Sequence, residues 1–183
     1  MTFTKYFDIL INRKTYYATR NTWNSKRGEA NVKISTKGRY GVAAMYDLAM
    51  HYGKGAISLK SIAQRQKISE NYLEQLMSIL RNAGYVKSIR GAQGGYSLSK
   101  DPEKISVGDI IRIMEGPIVL VDCLLTDAEE NDYCERAGIC VTRGVWAKVC
   151  DSISSVLDSI SLADLCQEEK LQGDVCDNEK NLF

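Results

Sequence analysis

The chain has 183 residues, of which 44% are hydrophobic, 26% are charged and only two are proline. This composition fits one domain with an appendage and excludes a disordered or collagen-like chain. The net charge of +1 is the sum of three unequal parts, since residues 1–31 carry +4, residues 32–102 carry +7 and residues 103–183 carry −10. A basic middle joined to an acidic end indicates a polyanion-binding unit followed by a partner or sensor unit.

The sequence also excludes several functional classes. No apolar run approaches the ~18 residues that span a bilayer, and the N-terminus lacks the pattern of a secretory signal. We therefore expect a cytoplasmic protein without a membrane segment, in which the six cysteines stay reduced. A single histidine, His51, leaves little material for Ser-His-Asp catalysis or His-rich zinc sites. We therefore expect that the protein is not an enzyme.

Residues 1–31 form an N-terminal extension that allows two interpretations. Arg27-Gly28-Glu29 can be encoded by AGAGGTGAG, which resembles a bacterial ribosome-binding site, and Val32 by the alternative start codon GTG. Translation would then begin at Val32, and residues 1–31 would not be translated. If they are translated, we expect them to be disordered. The alternative is a genuine basic arm that adds phosphate contacts. We favour the later start, which the intact mass of the endogenous protein would test.

Residues 32–102 begin with three short helices, each preceded by a residue that can cap it. The first predicted helix is capped by Ser35 or Thr36 and runs to about Tyr52. The second is capped by Ser58 and runs from Leu59 to Arg65. The third is capped by Ser69 and runs to about Asn82. The second and third are joined by a tight turn at Gln66–Ile68, which is typical of a helix-turn-helix.

The third predicted helix has one apolar and one polar side. The apolar stripe comprises Leu73, Leu76, Met77 and Leu80, and the polar side comprises Asn71, Glu74, Gln75, Ser78 and Asn82. Amide groups can pair with adenine, and a carboxylate can accept from the cytosine amino group, so this side suits base edges. The alternative is the solvated side of an ordinary helix.

A β-hairpin is predicted after the third helix. Tyr85–Arg90 alternates like a strand, residues 91–95 form a glycine-rich turn, and Tyr96–Leu98 returns as a second strand. A helix-turn-helix followed by such a hairpin is a winged helix. Lys87 and Arg90 lie beside the tip, where an arginine suits a narrow minor groove. The fold class is therefore mainly α with a small β-hairpin wing, and DNA binding is the favoured prediction for residues 32–102.

Residues 103–166 are predicted to hold a sensor loop between two helices. Ser106 caps a helix from Val107 to Met114, and an acidic loop with Cys123, Cys134 and Cys140 follows. Ten residues separate the first two cysteines and five separate the last two. Thiolates are soft ligands that suit an iron–sulfur cluster or zinc. The alternative is three unrelated thiols.

A longer helix is predicted from Val145. Its stripe comprises Val145, Trp146, Val149, Ile153, Val156, Leu157 and Ile160. Such a stripe favours dimerisation, with packing inside one chain as the alternative. A dimer would place two recognition helices about 34 Å apart, which suits a palindromic operator. Cys150, Cys166 and Cys176 are interpreted as structural or incidental, and residues 167–183 as a polar, disordered tail.

Residues 32–166 resemble the IscR, NsrR and CymR family of bacterial winged-helix regulators. The resemblance rests on Ser35–Tyr40, on Ile68 through Leu76, on Arg90 through Tyr96, and on the three cysteines followed by Val145-Trp146. It implies a homodimer that binds promoter DNA. It also implies that Asn71, Tyr72, Glu74 and Gln75 read the major groove and that Arg90 enters the minor groove. Lys37, Arg39, Lys87 and Gln93 complete the predicted DNA contacts.

The resemblance further implies a cofactor. The cluster-bearing branch of the family has three cysteines, which CymR-like members lack, so Cys123, Cys134 and Cys140 would hold a two-iron, two-sulfur cluster. Two features depart from the pattern: the first gap exceeds the usual five residues, and Arg143 stands where IscR-like members have a histidine ligand. Arginine stays protonated and does not ligate. The fourth ligand stays open between an acidic side chain of the loop, a residue of the other subunit and an exogenous group.

The sequence thus predicts a transcriptional regulator, acting as a repressor, that senses cluster supply, nitric oxide or redox stress through its cluster. One alternative is a regulator of the same fold without a cluster, controlled by a partner protein or a small molecule. Another is a zinc- or thiol-dependent redox protein. The absence of a Cys-x-x-Cys motif from the sequence argues against that last alternative.

Overall fold

The computed structural model describes residues 34–91, 94–125 and 139–169. The predictions made for residues 1–31, Gln93, Cys134 and Cys176 lie outside these ranges. The described elements, in chain order, are α1 (Thr36–Met50), α2 (Leu59–Gln66), α3 (Glu70–Asn82), β1 (Val86–Ile89), β2 (Gly95–Leu98), a 3-10 turn (Pro102–Lys104), α4 (Val107–Glu115), a second 3-10 turn (Asp122–Leu124), α5 (Val141–Asp158) and a helix over residues 162–169, called α6.

Helix α1 begins where its serine cap predicts. The hydroxyl of Ser35 accepts from the backbone N–H of Lys37 at 3.1 Å and of Gly38 at 3.3 Å, which satisfies donors that a helix start leaves open. The helix ends at Met50, two residues before the predicted Tyr52. His51 is its C-cap, and the ring Nδ1 lies 2.8 Å from the carbonyl oxygen of Asp47.

Helices α2 and α3 form the predicted helix-turn-helix. Ser58 caps α2 by accepting from the N–H of Ser61 at 3.1 Å. Lys67 makes the turn in the left-handed region, with φ 54°, an uncommon conformation for a residue with a side chain. Ser69 precedes α3 as predicted, but its side chain makes no capping hydrogen bond. All four residues of the predicted apolar stripe on α3 are buried.

The wing is a two-stranded antiparallel hairpin in which Val86 pairs with Leu98 and Ile89 with Gly95. Gly95 therefore belongs to β2 and not to the predicted turn. Ile57 extends the hairpin on its other edge through two backbone hydrogen bonds of 2.8 Å with Tyr96. A Cβ on Gly95 would overlap the backbone carbonyl of Ile57. The wing can thus lie against the segment before α2 only with glycine at this position.

We expect the substitution Gly95→Ala to lower the free energy of unfolding by about 1–3 kcal/mol, because backbone on both sides of the clash must move. Thermal or urea unfolding measures this effect. Gly144→Ala is the control, because it is the same substitution on α5 with no atom within 4 Å of the added Cβ. We expect it to stabilise the chain by about 0.5–1 kcal/mol. Equal effects of the two substitutions would contradict the proposed close packing of the wing.

Helix α4 packs closely against α1. Ser106 and Asp109 form a capping box at its start, and the helix continues one residue beyond the predicted end to Glu115. A Cβ on Gly41 of α1 would come within 2.8 Å of Met114 Cγ. Glu115 Oε1 accepts from the backbone N–H of Ser35 at 3.0 Å and from its hydroxyl at 2.9 Å. The end of α4 therefore fixes the start of α1.

The core joins these elements into one unit. Side chains from α1 to α4 and the wing fill it, together with Ile105 and Leu162. Met45, Leu73, Met77 and Ile110 are fully buried there. Helices α3 and α4 therefore share one core.

Helix α5 differs from its prediction. It begins at Val141, four residues before the predicted Val145, and Cys140 is its N-cap residue. Ile160 of the predicted stripe lies beyond the helix end at Asp158. Along the whole of α5 only Cys150 is buried, and Val145 and Trp146 are 55% and 42% exposed. The apolar stripe is therefore left largely open in a single chain.

Candidate DNA-binding surface and cysteine segment

The polar side of α3 is accessible, as a reading surface requires. Asn71, Glu74 and Gln75 are exposed, while Leu73 and Leu76 on the opposite side are buried. Burial of the apolar stripe fixes the rotation of α3 about its axis. Its amides and carboxylate are thereby held in one orientation, outward from the protein.

The first turn of α1 lies beside the recognition helix. The rings of Tyr40 on α1 and Tyr72 on α3 pack edge to face, with centroids 6.0 Å apart and an interplanar angle of 74°. The side chains of Tyr72 and Lys37 are half-buried, and Arg39 is exposed. The ring pair therefore joins α1, which carries the predicted DNA contacts Lys37 and Arg39, to α3, which carries the predicted base contacts.

The wing supplies a second basic edge. Lys87 and Arg90 are exposed on and just after β1. At the base of the hairpin, the ammonium of Lys100 lies 4.1 Å from the ring centroid of Tyr85, a cation–π contact. The residues at positions 91 and 94 close the turn with a backbone hydrogen bond of 2.9 Å. Gln93, predicted at the tip, lies outside the described residues.

A buried ion pair holds the helix-turn-helix in place, and sequence reasoning missed it. Asp47 of α1 is 3% exposed and accepts from Arg65 Nε at 2.8 Å, Arg65 Nη2 at 2.6 Å and Gln66 Nε2 at 3.1 Å. The hydrogen bond to Asp47 raises the pKa of Arg65. The two-pronged contact sets the angle of α2 relative to α1. No local signal in the sequence links the two residues, because they lie 18 positions apart on different helices.

The structure places two of the three predicted ligand cysteines. Cys123 lies in the second 3-10 turn and Cys140 immediately before α5, and both are half-buried. Arg143 Nε donates to the carbonyl oxygen of Cys123 at 3.1 Å, so the side chain in the histidine position connects the two segments. Cys134 lies outside the described ranges.

We tested whether these residues suit a two-iron, two-sulfur cluster. Two half-buried thiols on connected segments are soft donors of the right kind. Within residues 34–91, 94–125 and 139–169, however, no three His, Cys, Asp or Glu side chains come together as a metal site. Arg143 fills the fourth position with a hydrogen bond in place of a ligand. The donor set fits a cluster only when Cys134 and an additional ligand are included.

The helix-turn-helix followed by a β-hairpin is a winged helix, a fold typical of DNA-binding transcriptional regulators. Comparison with known proteins agrees: the Rrf2 family, described as "Iron-dependent Transcriptional regulator", matches residues 34–168. The chain belongs to the Rrf2 family. It is a regulator and not an enzyme, as the sequence predicts.

Relatives from two branches are similar to this chain. The regulator CymR of Bacillus subtilis is 52% identical over 134 residues, covering 73% of this chain and 89% of the relative. The regulator IscR of Aliivibrio salmonicida is 40% identical over 141 residues, covering 77% and 81%. These matches confirm the predicted family and leave the choice of branch open.

Solved structures show the same pattern. The structure of CymR, "the Global Cysteine Regulator of B. subtilis", matches with a TM-score of 0.62 and 51% identity, covering 75% of this chain and 98% of that one. The structure of T. potens IscR matches with a TM-score of 0.61 and 53% identity, covering 76% and 89%. They confirm the mainly helical fold with its β-hairpin wing. In the parts of the chain that the structure describes, no helix is long and apolar enough to cross a bilayer.

Proposed function

We propose that the chain is a homodimeric regulator that binds a palindromic operator, with α3 in the major groove and the wing at the adjacent minor groove. The observation that carries this proposal is the exposed row of Asn71, Glu74 and Gln75, set opposite a buried stripe. Glu74 accepts from cytosine, and the two amides pair with adenine. In this arrangement Tyr72 has a dual role, since it packs on Tyr40 and borders the row.

Basic residues on both sides of this row position the protein on DNA. Lys37 and Arg39 neutralise phosphates from the start of α1, Lys87 and Gln93 add contacts from the wing, and Arg90 enters the minor groove. Such contacts fix register and supply salt-dependent affinity without reading sequence. Bound over a promoter, a dimer blocks transcription, so we propose a repressor that acts in the cytoplasm.

The exposed side of α5 forms the dimer interface in this proposal. Val145, Trp146, Val149 and Val156 are all exposed on one helix. A twofold interface along them buries apolar area that single chains leave in water. It also places the two recognition helices on one side of the duplex, about one helical turn apart.

We expect Arg90→Ala to weaken operator binding by about tenfold and to lower the salt dependence of the affinity, because one phosphate-region cation is lost. Glu74→Ala should act differently and relax the choice of one base pair, by about 1–3 kcal/mol. Fluorescence anisotropy with an operator selected from random DNA measures both effects. Lys104→Ala is the control, since it removes an exposed positive charge outside this surface. Equal losses of operator affinity in Lys104→Ala and Arg90→Ala would contradict the proposed role of the wing.

The finer proposal concerns the signal. We propose that Cys123, Cys134 and Cys140 hold a two-iron, two-sulfur cluster, completed by a fourth ligand other than Arg143. Such a cluster supplies redox sensitivity and reactivity toward nitric oxide when bound. This chain's own contribution is to hold Cys123 against the start of α5 through Arg143. A structural change in the cysteine segment therefore acts directly on α5, the helix proposed to form the dimer.

Anaerobic purification with visible absorption, iron and sulfide assays tests the cluster. We expect a coloured protein, and we expect Cys134→Ala to abolish the colour and the iron while leaving the helical content by circular dichroism unchanged. Cys176→Ala replaces a cysteine outside the three proposed ligands, and this variant should keep the colour and the iron. Retained colour in Cys134→Ala would show that the ligand set is wrong.

The alternative is a regulator of the same fold without a cluster, controlled by a partner protein or a small molecule. The 52% identity with CymR and the hydrogen-bonded Arg143 in the fourth position favour this alternative. A colourless, iron-free protein with full, salt-dependent operator binding would decide for it. The two candidates share the DNA-binding surface and differ only in the sensor.

A further inference from the structure

The C-terminal end of α5 is held against α4 by contacts of Asp158 with Gly108 and Arg112, and this contact is called the joint between α4 and α5. Arg112 of α4 donates to both carboxylate oxygens of Asp158, the last residue of α5, at 2.7 Å each. A Cβ on Gly108, one turn earlier on α4, would overlap Asp158 Oδ1. Glycine there is what lets the carboxylate reach the guanidinium. The ion pair raises the pKa of Arg112 and lowers the pKa of Asp158.

Backbone hydrogen bonds reinforce the same place. The N–H of Val107 donates to the carbonyl of Ile160 at 2.8 Å, and the N–H of Leu162 donates to the carbonyl of Ile105 at 3.0 Å. The C-terminal end of α5 is therefore fixed to the start of α4. Helix α4 is in turn part of the core that holds the recognition helix, through Ile110 and Met114.

From this joint α5 runs to its other end at Val141, where Arg143 contacts the carbonyl oxygen of Cys123. Its 18 residues span about 27 Å at 1.5 Å per residue. A change of about 10° at the joint moves the far end by about 5 Å, which exceeds the rise of about 3.4 Å per base pair along the axis of the duplex. The angle at this joint therefore determines where two DNA-binding units linked through α5 meet the duplex.

We propose that Arg112, Asp158 and Gly108 are positioning residues that set the distance between the two recognition helices, and thereby the half-site spacing of the operator that the dimer accepts. The proposal rests on the proposed function, since it requires DNA binding by a dimer formed along α5. It assigns these residues a part in DNA specificity although they lie outside the surface assigned to DNA. A merely structural role would change stability without changing the preferred spacing.

A series of palindromic operators tests the proposal, with the selected half-site kept constant and the spacer lengthened or shortened by one or two base pairs. We expect the wild-type chain to prefer one spacing by about tenfold or more, and Arg112→Gln and Gly108→Ala to reduce that preference to about threefold or less. Binding to a single half-site should be the same for all three proteins. Asp164→Asn is the control, because among the described residues the Asp164 carboxylate accepts from Ser161, near the joint, at 2.8 and 2.7 Å and not from Arg112. It should keep the wild-type preference.

Two results would overturn the inference. In the first, Arg112→Gln and Gly108→Ala keep the wild-type spacing preference while remaining folded and dimeric by light scattering. In the second, the control Asp164→Asn loses the preference to the same extent. A wild-type chain that is monomeric or binds no palindrome would contradict the proposed function itself, and half-site binding separates that outcome from failure of the joint.

Discussion

Replacing Trp146 by Asp is expected to convert the dimer to single chains and to weaken binding to the palindromic operator at least about a hundredfold, or about 2.8 kcal/mol. Trp146 is 42% exposed in one chain, so part of its ring is available to a partner, and circular dichroism of the variant checks that the single chain stays folded. In a twofold interface the same substitution buries one carboxylate from each chain against apolar side chains of the other, without partners. Light scattering reports the number of chains, and anisotropy reports the affinity.

Ser155→Asp is the matched control for this experiment. Ser155 lies on α5 but, at 100° per residue, on the side opposite the apolar stripe, and it is exposed. The control adds the same charge to the same helix and should leave the dimer and the affinity unchanged. Trp146→Asp protein that stays dimeric would mean that the chains associate through another surface.

The second large effect is expected at the buried ion pair. Arg65→Met removes the guanidinium that makes two hydrogen bonds to Asp47 and leaves a carboxylate that is 3% exposed. Breaking a buried pair costs about 3–5 kcal/mol. Because the Arg65 side chain is 41% exposed, solvent screens part of the pair, and we expect a loss at the lower end, about 3 kcal/mol. Urea unfolding at neutral pH measures it.

Lys60→Met provides the comparison, because Lys60 lies on the same helix, is exposed and loses the same charge. Its effect on the free energy of unfolding should stay within about 0.5 kcal/mol. A loss for Arg65→Met no larger than that of Lys60→Met would mean that packing alone sets the angle between α1 and α2.

Local signals in the sequence were sufficient for most of the fold. Serine caps at Ser35, Ser58 and Ser106 predicted helix starts that the structure confirms. The apolar stripe of α3 predicted which side is buried, and so which side stays exposed for DNA. These features depend on neighbours within a few residues, which periodicity and capping rules describe well.

Contacts between distant residues were not predictable in this way. The pairs of Asp47 with Arg65, Glu115 with Ser35 and Arg112 with Asp158 join different elements, 18, 80 and 46 residues apart. Charge alone did not identify these partners, because each had many candidates in the sequence. The early start of α5 was missed for a related reason, since Cys140 caps it without a side-chain hydrogen bond and so carries no capping signal.

If the open stripe of α5 is the dimer interface proposed above, the amount of protein in the cell becomes part of the regulatory response. In the described part of the chain Cys150 is the only buried residue of α5, so in the proposed dimer the apolar side gains burial when two copies meet. Occupancy of a palindrome then depends on the square of the free chain concentration as long as single chains predominate. A modest change in synthesis or degradation would thus be passed on to the promoter as a steeper change in repression.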